Sequence, residues 1–236
     1  MKIGLFSGGK DSLVACHLMQ NELNGVLYCK TGIGIPENFE YVKQTCKKLN
    51  WKLNIVEPKE TETYENFVKK FGFPHAGIHS VIMGYLKYHP MRKWAKTQAK
   101  KDNNIIFISG WRKAESKRRM RTIKKAKTIM EGMTFLSPIA NWTNSQVWNY
   151  IKKNNLEISP VYKTMHLSGD CLCGAFSELG ESELLATFHK ELAEEIAKLE
   201  KKYHGRWGNQ SSMTGAMKQS KISNFICADC IISGNH

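Results

Sequence analysis

The sequence has few acidic residues, no long hydrophobic run and no dense set of cysteines, and each shortage narrows what the protein can be. Its 236 residues contain 21 Asp and Glu against 35 Lys and Arg, which gives a formal net charge of +14. No stretch of 18 or more apolar residues occurs, so no membrane-spanning helix is expected. Because 42% of the residues are hydrophobic, a sizeable core can form and wholesale disorder is excluded.

The small number of cysteines excludes a protein stabilised mainly by disulfides. Seven cysteines in a chain of this length do not make a disulfide scaffold. The segment Met1–Phe6 runs directly into a loop, without the apolar stretch of a secretory leader. We therefore expect a cytoplasmic, reducing compartment, in which clustered cysteines are metal ligands or reactive thiols.

The excess of positive charge is concentrated in one segment. Residues 87–127 contain 15 basic and 2 acidic residues, a net charge of +13, so the rest of the chain is close to neutral. Such a local excess indicates an anionic partner, which can be a polyphosphate, a sulfate ester or a nucleic acid. A solvated basic face is the alternative interpretation.

Hydrophobic patterning predicts alternating strands and helices. Extended segments are predicted at residues 3–6, 25–29, 53–56, 104–109 and 135–139, and the basic segment Trp111–Lys127 is predicted to be a loop. Helices are predicted after residue 12, from residue 36, and at 62–71, 79–100, 143–154 and 181–203, with Pro90 interrupting one of them and Thr143 as an N-cap. This order predicts an α/β fold with a doubly wound, mostly parallel sheet in residues 1–166 and a small cysteine-containing helical extension in residues 167–236.

A glycine-rich loop follows the first predicted strand. It reads Ser7-Gly8-Gly9-Lys10-Asp11-Ser12 and leads directly into a helix. Two glycines let the backbone approach an anion, the helix start adds a positive dipole end, and Lys10 adds a charge. Asp11 would repel a bare phosphate, so we expect it to orient the loop or to help hold a magnesium ion between phosphates. The spacing differs from GxxxxGK[ST], which excludes a motor or GTPase of the P-loop type.

This loop and five later segments resemble one known family. Phe6–Ser12 resembles the PP-loop of the N-type ATP pyrophosphatases, the adenine nucleotide alpha-hydrolase superfamily. The later segments resemble those of its phosphoadenosine phosphosulfate (PAPS) reductase branch, namely TGxxxPET at Thr31–Glu37, LKxxPL at Leu86–Met91, G-x-R-x-x-E-S-x-x-R at Gly110–Arg119, P-I-x-x-W-x-x-x-x-V-W-x-Y-I at Pro138–Ile151 and N-P-L-Y at Ser159–Tyr162.

The resemblance implies an enzyme of sulfur metabolism that binds an adenine nucleotide, which can be ATP, adenosine phosphosulfate (APS) or PAPS. The residues that it implies for binding are Ser7, Gly8, Gly9, Lys10, Asp11, Ser12, Thr31, Gly32, Lys87, Arg112, Arg118 and Arg119. Arginine suits this task because its planar fork binds two phosphate oxygens. Catalytic roles are expected for Lys10, Asp11, Arg112 and Cys230.

Four cysteines form two short pairs near the end of the sequence. They are Cys171 and Cys173 (CxC) and Cys227 and Cys230 (CxxC), a spacing typical of thiolates that ligate one metal centre. A redox dithiol at CxxC and unrelated buried cysteines are the alternatives. Ligand number leaves zinc and [4Fe–4S] both open. The resemblance favours [4Fe–4S], because some members of the branch carry a cluster.

The sequence departs from the branch at two positions that matter for catalysis. The E-C-G-L/I-H tail of sulfonucleotide reductases is absent, since this chain ends in Cys230-Ile-Ile-Ser-Gly-Asn-His, and Lys30 replaces the acidic residue before TG. Cys230 can act as the nucleophile only if it is not a metal ligand.

Three functions remain open on the sequence. The first is thiol- or cluster-assisted reduction of a sulfonucleotide to sulfite. The second is ATP-dependent thiolation of tRNA or DNA bound through residues 87–127, and the third is a non-catalytic nucleotide or nucleic-acid-binding module. A redox or sulfur-donor protein and a second copy of the chain are the further partners considered.

Overall fold

The computed structural model describes residues 1–99, 104–115, 120, 126–208 and 212–220, and the chain divides into two compact units. Unit 1 comprises Met1–Cys29, Glu37–Val56 and Pro90–Ser159, and unit 2 comprises Lys30–Pro36, Glu57–His89 and Pro160–His236. Each unit therefore collects segments that are distant in the sequence. The boundary between residues 166 and 167 stays a prediction.

Within the described residues, unit 1 is built on a six-stranded sheet. Its strands are β1 (Lys2–Leu5), β2 (Val26–Cys29), β3 (Leu53–Val56), β4 (Ile106–Ile108), β5 (Lys127–Met130) and β6 (Met133–Leu136). Their spatial order is β3-β2-β1-β4-β6-β5, and all neighbouring pairs are parallel except β5 with β6. Gly4 of β1 is in register with Val26 of β2 and Ile108 of β4.

Helices connect these strands and form most of unit 2. In chain order they are α1 (Lys10–Leu18), α2 (Pro36–Lys48), α3 (Tyr64–Phe71), α4 (His79–Met83), α5 (His89–Ala99), α6 (Asn144–Lys153), α7 (Val161–Met165), α8 (Glu181–Phe188), α9 (Lys190–Tyr203) and α10 (Met213–Ser220). No helix in these described ranges combines the length and the apolar character needed to cross a membrane.

Both faces of the sheet are covered within unit 1. Ile108 packs in a buried cluster with Val14 of α1 and Val147 of α6. Its neighbour Phe107 faces the other way, with its ring 6.4 Å from that of Trp94 on α5. Because successive side chains of a strand point to opposite faces, helices lie on both sides of β4. The predicted doubly wound, mostly parallel α/β fold is therefore confirmed.

The predicted helix starts agree with local chemistry. Pro36 opens α2, where a missing N–H costs nothing, and Lys47 and Lys48 lie at its C-terminal, negative end. Thr143 caps α6 through a full capping box, because its hydroxyl accepts from the Gln146 N–H while the Gln146 side chain accepts from the Thr143 N–H.

Three predicted boundaries were wrong. The helix at 79–100 is not broken by Pro90; a π-helical turn over Gly84–Tyr88 widens the backbone before α5 begins, and Pro90 lies in the first turn of α5, where its missing N–H is tolerated. The helix at 181–203 divides at His189, whose φ of −134° and ψ of 58° are not helical. The loop expected to extend to Lys127 ends earlier, because Lys127 begins β5.

Unit 2 surrounds its own hydrophobic core. Phe67 of α3, Ile196 of α9 and Ala216 of α10 are buried in one cluster with Leu172 and Trp207. α10 packs against α8 and α9. The cluster thus joins the helices of unit 2 to the segment that carries the CxC pair.

A buried carboxylate connects α9 to the segment that follows it. Glu200 is 5% exposed, and its oxygens accept hydrogen bonds from the backbone N–H groups of Trp207, Met213 and Thr214 at 2.8–3.0 Å and from the Thr214 hydroxyl at 3.0 Å. A negative charge at the start of α10 satisfies N–H groups that have no partner within the helix.

We expect Glu200→Ala to lower the free energy of unfolding by about 3 kcal/mol, because it leaves several buried N–H groups without an acceptor. Urea denaturation at constant pH measures the change. Glu195→Ala on the same helix is the matched control, since Glu195 is exposed, and it should change the free energy by less than about 0.5 kcal/mol. Equal effects of the two substitutions would contradict this role of Glu200.

A second buried carboxyl should make stability depend on pH. Burial raises the pKa of Glu181 from 4.5 to about 7. The folded chain therefore holds this proton more tightly than the unfolded chain, so its stabilising effect is full below pH 4.5 and is lost as the pH rises through 7.

We expect Glu181→Gln to remove part of this pH dependence and to stabilise the chain at pH 8 by about 2 kcal/mol. Melting temperatures of the wild type and the variant between pH 5 and pH 8 test this expectation. Parallel pH profiles would show that Glu181 does not titrate in this range.

Candidate nucleotide and metal sites

The glycine-rich segment Ser7–Ser12, called here the nucleotide loop, connects β1 to α1 in unit 1. The Ser7 and Ser12 hydroxyl oxygens lie 3.1 Å apart, and the Ser12 hydroxyl donates to the Gly9 carbonyl at 2.8 Å. Gly9 is the N-cap of α1, and among the described residues no side-chain hydrogen bond caps this helix. The helix start therefore presents its positive dipole end on a loop held by its own serines.

The position of the nucleotide loop in the sheet is the one that suits ligand binding. β1 leads to β2 on one side and lies beside β4 on the other, so the strand order reverses between β1 and β4. In open parallel sheets, ligands bind at the carboxyl ends of the strands at such a switch point. The loop after β1 and the segment after β4 both start there.

Gly110 allows these two segments to meet. A Cβ atom at Gly110 would lie 2.5 Å from the Ser12 nitrogen and 2.7 Å from the Asp11 carbonyl oxygen, so any side chain there would collide with backbone. The chain after β4 therefore packs directly on the start of α1.

Arg112 uses this close approach to pair with Asp11. Its Nε donates to Asp11 Oδ1 at 2.8 Å, and its Nη2 donates to Asp11 Oδ2 at 3.1 Å. The guanidinium is 3% exposed, and Lys10 Nζ lies 3.6 Å from Asp11 Oδ2. Two cations and one anion leave a net charge of +1 at the nucleotide loop. Asp11 thus fixes the position of the Arg112 guanidinium, and Arg112 and Lys10 balance the negative charge of Asp11.

Unit 2 contains the other predicted nucleotide residues that the structure describes. Thr31 is 2% exposed, and its hydroxyl donates to the Asp170 carbonyl at 2.8 Å. Lys87 pairs with the Asp170 carboxylate at 2.5 Å. Thr31 and Gly32 also line a cavity of about 590 Å³, at whose wall Lys30 pairs with Glu57 at 2.9 Å. Sequence reasoning did not identify Asp170 as the residue that joins Thr31 to Lys87.

The segment Asp170–Gly174, called here the CxC loop, has a fixed backbone. The Leu172 N–H donates to the Ile33 carbonyl at 2.7 Å. Tyr64 donates its hydroxyl to the Cys173 carbonyl at 3.1 Å, and Trp207 donates its indole N–H to the Leu172 carbonyl at 2.8 Å. Three backbone groups of the loop thus have partners from three different segments, which fixes the backbone that carries the two cysteines.

The two thiols of the CxC loop interact directly. The Cys171 thiol hydrogen-bonds to the Cys173 sulfur, and this bond holds the pKa of Cys173 below its usual value, with the nearby Lys87 charge acting in the same direction. The same bond and burial raise the pKa of Cys171. Adjacent sulfur atoms with one favoured thiolate suit a soft metal or a metal cluster.

The residues present fit half of a four-thiolate site. Cys171 and Cys173 supply two neighbouring sulfur donors, whereas the described part of the chain contains no group of three or more His, Cys, Asp or Glu side chains that could hold a metal. Arg118, Arg119, Cys227 and Cys230 lie outside the described residues.

The remaining cysteines of the described residues lie in unit 1. Burial raises the pKa of Cys16 far above its usual value and that of Cys46 to about 12. Both pack in the cluster between α1, α2 and β2. These thiols fill the hydrophobic core.

A mostly parallel sheet with helices on both faces and a glycine-rich loop at its switch point places the chain in the doubly wound α/β class. The sequence matches the family profile described as the phosphoadenosine phosphosulfate reductase domain over residues 3–182. The chain belongs to this family, which confirms the resemblance found in its motifs. The family is one of enzymes of sulfur metabolism.

The curated relatives include two reductases and one uncharacterised protein. The chain is 27% identical over 177 residues to an adenosine 5'-phosphosulfate reductase of Bacillus cytotoxicus, covering 70% of this chain and 69% of that protein. It is 26% identical over 168 residues to a phosphoadenosine 5'-phosphosulfate reductase of Proteus mirabilis, covering 69% and 65%. An uncharacterised protein of Methanocaldococcus jannaschii is 28% identical over 177 residues, covering 72% of this chain but only 40% of that protein.

Two solved structures share a distant likeness with the chain. A phosphoadenylyl-sulfate reductase from Candida auris in a phosphate complex aligns with a TM-score of 0.48 and 19% identity, covering 68% of this chain and 75% of that one. The U34-tRNA thiolase NcsA of Methanococcus maripaludis with its [4Fe–4S] cluster aligns with a TM-score of 0.44 and 14% identity, covering 94% and 70%. The fold class stated above rests on the strand order of the chain itself.

Proposed function

We propose that the nucleotide loop binds the phosphate or phosphosulfate end of an adenine nucleotide. The observation that carries this proposal is the contact between the loop and the segment after β4, in which Arg112 neutralises Asp11 while Lys10 leaves a net positive charge. A helix N-terminus and a positive side chain together favour a bound anion. ATP, APS and PAPS all present such a group.

The reaction that family membership favours is reductive cleavage of a sulfonucleotide. A thiol attacks the sulfur atom, the bond between sulfur and the phosphate oxygen breaks, and the nucleotide phosphate leaves with its negative charge stabilised by Lys10 and the loop. A second thiol completes the two-electron reduction by forming a disulfide and releasing sulfite. The C-terminal Cys230 is a candidate for the first thiol only if it does not ligate a metal.

Sulfite release under anaerobic conditions tests the reductase. Purified chain with a dithiol donor should convert APS or PAPS to sulfite and the corresponding nucleotide, measured by chromatography. Release of sulfite from neither compound would exclude this reaction.

Lys10→Ala should weaken binding of the productive nucleotide by about tenfold to a hundredfold, because it removes the charge nearest to the predicted phosphates. Isothermal titration calorimetry gives the dissociation constant. Lys43→Ala is a matched control, since Lys43 is an exposed lysine of the same unit that pairs with Glu40 on α2. Unchanged affinity of the Lys10 variant would place the nucleotide elsewhere.

A second candidate function is ATP-dependent thiolation of a nucleic acid. The observation in its favour is that Lys93 and Lys96 are exposed one turn apart on α5, within the segment of highest positive charge. Fifteen basic residues are more than one small nucleotide requires, whereas a polyanion would engage many of them.

Binding of tRNA and DNA as a function of salt tests this candidate. Affinity should fall steeply as salt rises, and ATP should yield pyrophosphate only when the nucleic acid is present. If neither tRNA nor DNA binds detectably at low salt, nucleic-acid thiolation is excluded and sulfonucleotide reduction stays as the proposed reaction.

For the cofactor, we propose that Cys171, Cys173, Cys227 and Cys230 together hold one metal centre. Four thiolates suit Zn²⁺ or a [4Fe–4S] cluster, and the cluster is favoured by the family. Such a centre would supply Lewis-acid or electron-transfer chemistry when bound. The CxC loop itself contributes two positioned sulfur atoms, of which that of Cys173 belongs to a buried residue.

A further inference from the structure

Asn38, in the first turn of α2, lies directly beneath the nucleotide loop. Its side chain is fully buried, and Nδ2 donates to the Ser7 carbonyl at 2.8 Å. On the other side of the amide, Ser159 is 2% exposed, and its hydroxyl donates to Asn38 Oδ1 at 3.3 Å. A chain of two hydrogen bonds thus runs from Ser159 through Asn38 to the loop backbone.

The orientation of this amide is determined by its neighbours. A backbone carbonyl can only accept a hydrogen bond, so the Asn38 nitrogen must face Ser7 and its oxygen must face Ser159. Gly8 has a φ of +84°, and a Cβ atom there would lie 2.2 Å from Asn38 Oδ1. The Asn38 side chain therefore also occupies the space under Gly8, which leaves room only for glycine.

Holding the Ser7 carbonyl has a consequence on the opposite side of the loop. In a trans peptide the C=O and the next N–H point in opposite directions. Since the Ser7 carbonyl points to Asn38, the Gly8 N–H points away from it. Asn38 thus determines where an amide donor of the nucleotide loop is aimed.

We infer that Asn38 and Ser159 are positioning residues that act as one unit to set the anion-binding conformation of the nucleotide loop. This inference rests on the proposed nucleotide binding at Ser7–Ser12. Neither residue touches the nucleotide in this proposal. Both act through the Ser7–Gly8 peptide.

The two hydrogen bonds suggest how to test the pair as a unit. Position 38 carries an amide and position 159 carries a hydroxyl. Threonine at position 38 together with asparagine at position 159 keeps one amide and one hydroxyl, but at exchanged positions. If the two positions form one unit, exchanging both residues should be tolerated better than exchanging either one.

The experiment measures nucleotide affinity and apo-protein melting temperature for Asn38→Thr, Ser159→Asn and the double variant. Each single substitution should weaken binding of ATP, APS or PAPS by about tenfold, the equivalent of one buried hydrogen bond. The double variant should bind within about threefold of the wild type. Thr45→Val is the control, because Thr45 is a buried residue of the same helix whose hydroxyl bonds to Tyr41, away from the loop.

A second pair of substitutions covers the case in which the exchanged variants do not fold. Asn38→Asp keeps the shape of the side chain but turns an acceptor toward the Ser7 carbonyl, and Ser159→Ala removes one hydroxyl. Each should weaken nucleotide binding at temperatures well below melting. The variant that carries both should lose less affinity than the product of the two single fold-changes, since both substitutions break the same chain of hydrogen bonds.

Three results would overturn the inference. Single variants that bind like the wild type exclude a positioning role, and a double variant that multiplies the two single effects excludes a coupled unit. Lower melting temperatures with unchanged affinity show a structural role alone. If the wild type binds none of the three nucleotides, the proposed function fails together with this inference, and that result is recognised because Lys10→Ala then has no effect either.

Discussion

Arg112→Ala is expected to lower the free energy of unfolding by about 3–5 kcal/mol and to reduce nucleotide affinity at least tenfold. The guanidinium is 3% exposed and makes two hydrogen bonds to Asp11, so its removal leaves a largely buried carboxylate without its partner. Breaking a buried ion pair by deleting one member costs more than the pair contributes, because the remaining charge stays desolvated.

The loss of affinity has a separate cause. Without Arg112, the negative charge of Asp11 lies in the first turn of α1 with only Lys10, 3.6 Å away, to balance it. An incoming phosphate would then meet a neutral site in place of a positive one. Calorimetric titration with ATP, APS and PAPS reports this effect, and urea denaturation reports the change in stability.

Two further variants make the expectation sharper. Arg112→Lys keeps the charge but loses the planar fork of the guanidinium. Its nucleotide affinity and its free energy of unfolding should therefore lie between those of the wild type and Arg112→Ala. Arg92→Ala removes a partly exposed arginine that pairs with Glu131 in the same unit, and it should lower the free energy of unfolding by less than about 1 kcal/mol. Equal losses of unfolding free energy for Arg112→Ala and Arg92→Ala would show that the Arg112–Asp11 ion pair is not the buried contact described above.

The sequence was sufficient to predict the fold class and the location of the nucleotide loop, because both depend on local signals. Alternating strands and helices predict a parallel sheet, and the glycine-rich loop between β1 and α1 predicts an anion site at the carboxyl end of β1. The strand order places the segment after β4 at the same edge, and Gly110 brings it against the start of α1.

The sequence does not predict the β5–β6 hairpin, because the high positive charge of the segment before β5 favours an exposed loop. A local signal was present, since Gly132 lies in a two-residue spacer between two short segments rich in apolar residues. In the structure Glu131 and Gly132 have φ values of 52° and 71°, as in a two-residue hairpin turn. The division of the 181–203 helix at His189 had no such signal, since the residues on both sides favour helix.

The contacts that hold the sites together could not be predicted, because they join residues far apart in the chain. Asn38 and Ser159 are separated by 121 residues and Lys87 and Asp170 by 83. Each is an ordinary polar residue in its own segment. Only the folded arrangement shows that Asn38 supports the nucleotide loop and that Asp170 joins Lys87 to the segment of Thr31.

Cys173→Ser is expected to reduce the metal content of anaerobically purified protein by about tenfold or more. Its sulfur lies beside that of Cys171 in a loop whose backbone is fixed by Tyr64 and Trp207, so the two sulfur donors are positioned before any metal arrives. Loss of one thiolate from a four-thiolate site removes both charge and geometry that the metal requires.

The same loss should follow from Cys227→Ser and Cys230→Ser if all four residues share one centre. Cys46→Ala is the matched control, because Cys46 is buried in the core of unit 1 and burial raises the pKa of its thiol to about 12, which keeps it from acting as a thiolate ligand. Iron, zinc and acid-labile sulfide are measured in each preparation. Sulfide together with iron identifies a cluster, and zinc alone identifies a structural site.

The pattern of losses distinguishes one centre from two separate pairs. A single centre predicts that each of the four substitutions removes the metal while Cys46→Ala retains it. Metal that survives Cys173→Ser but not Cys227→Ser would restrict the site to the C-terminal CxxC pair, and the fixed CxC loop would then be a thiol pair available for redox chemistry. Wild-type protein that contains neither iron nor zinc would exclude the four-cysteine centre. Cys230 would then not be a metal ligand and could act as the nucleophile.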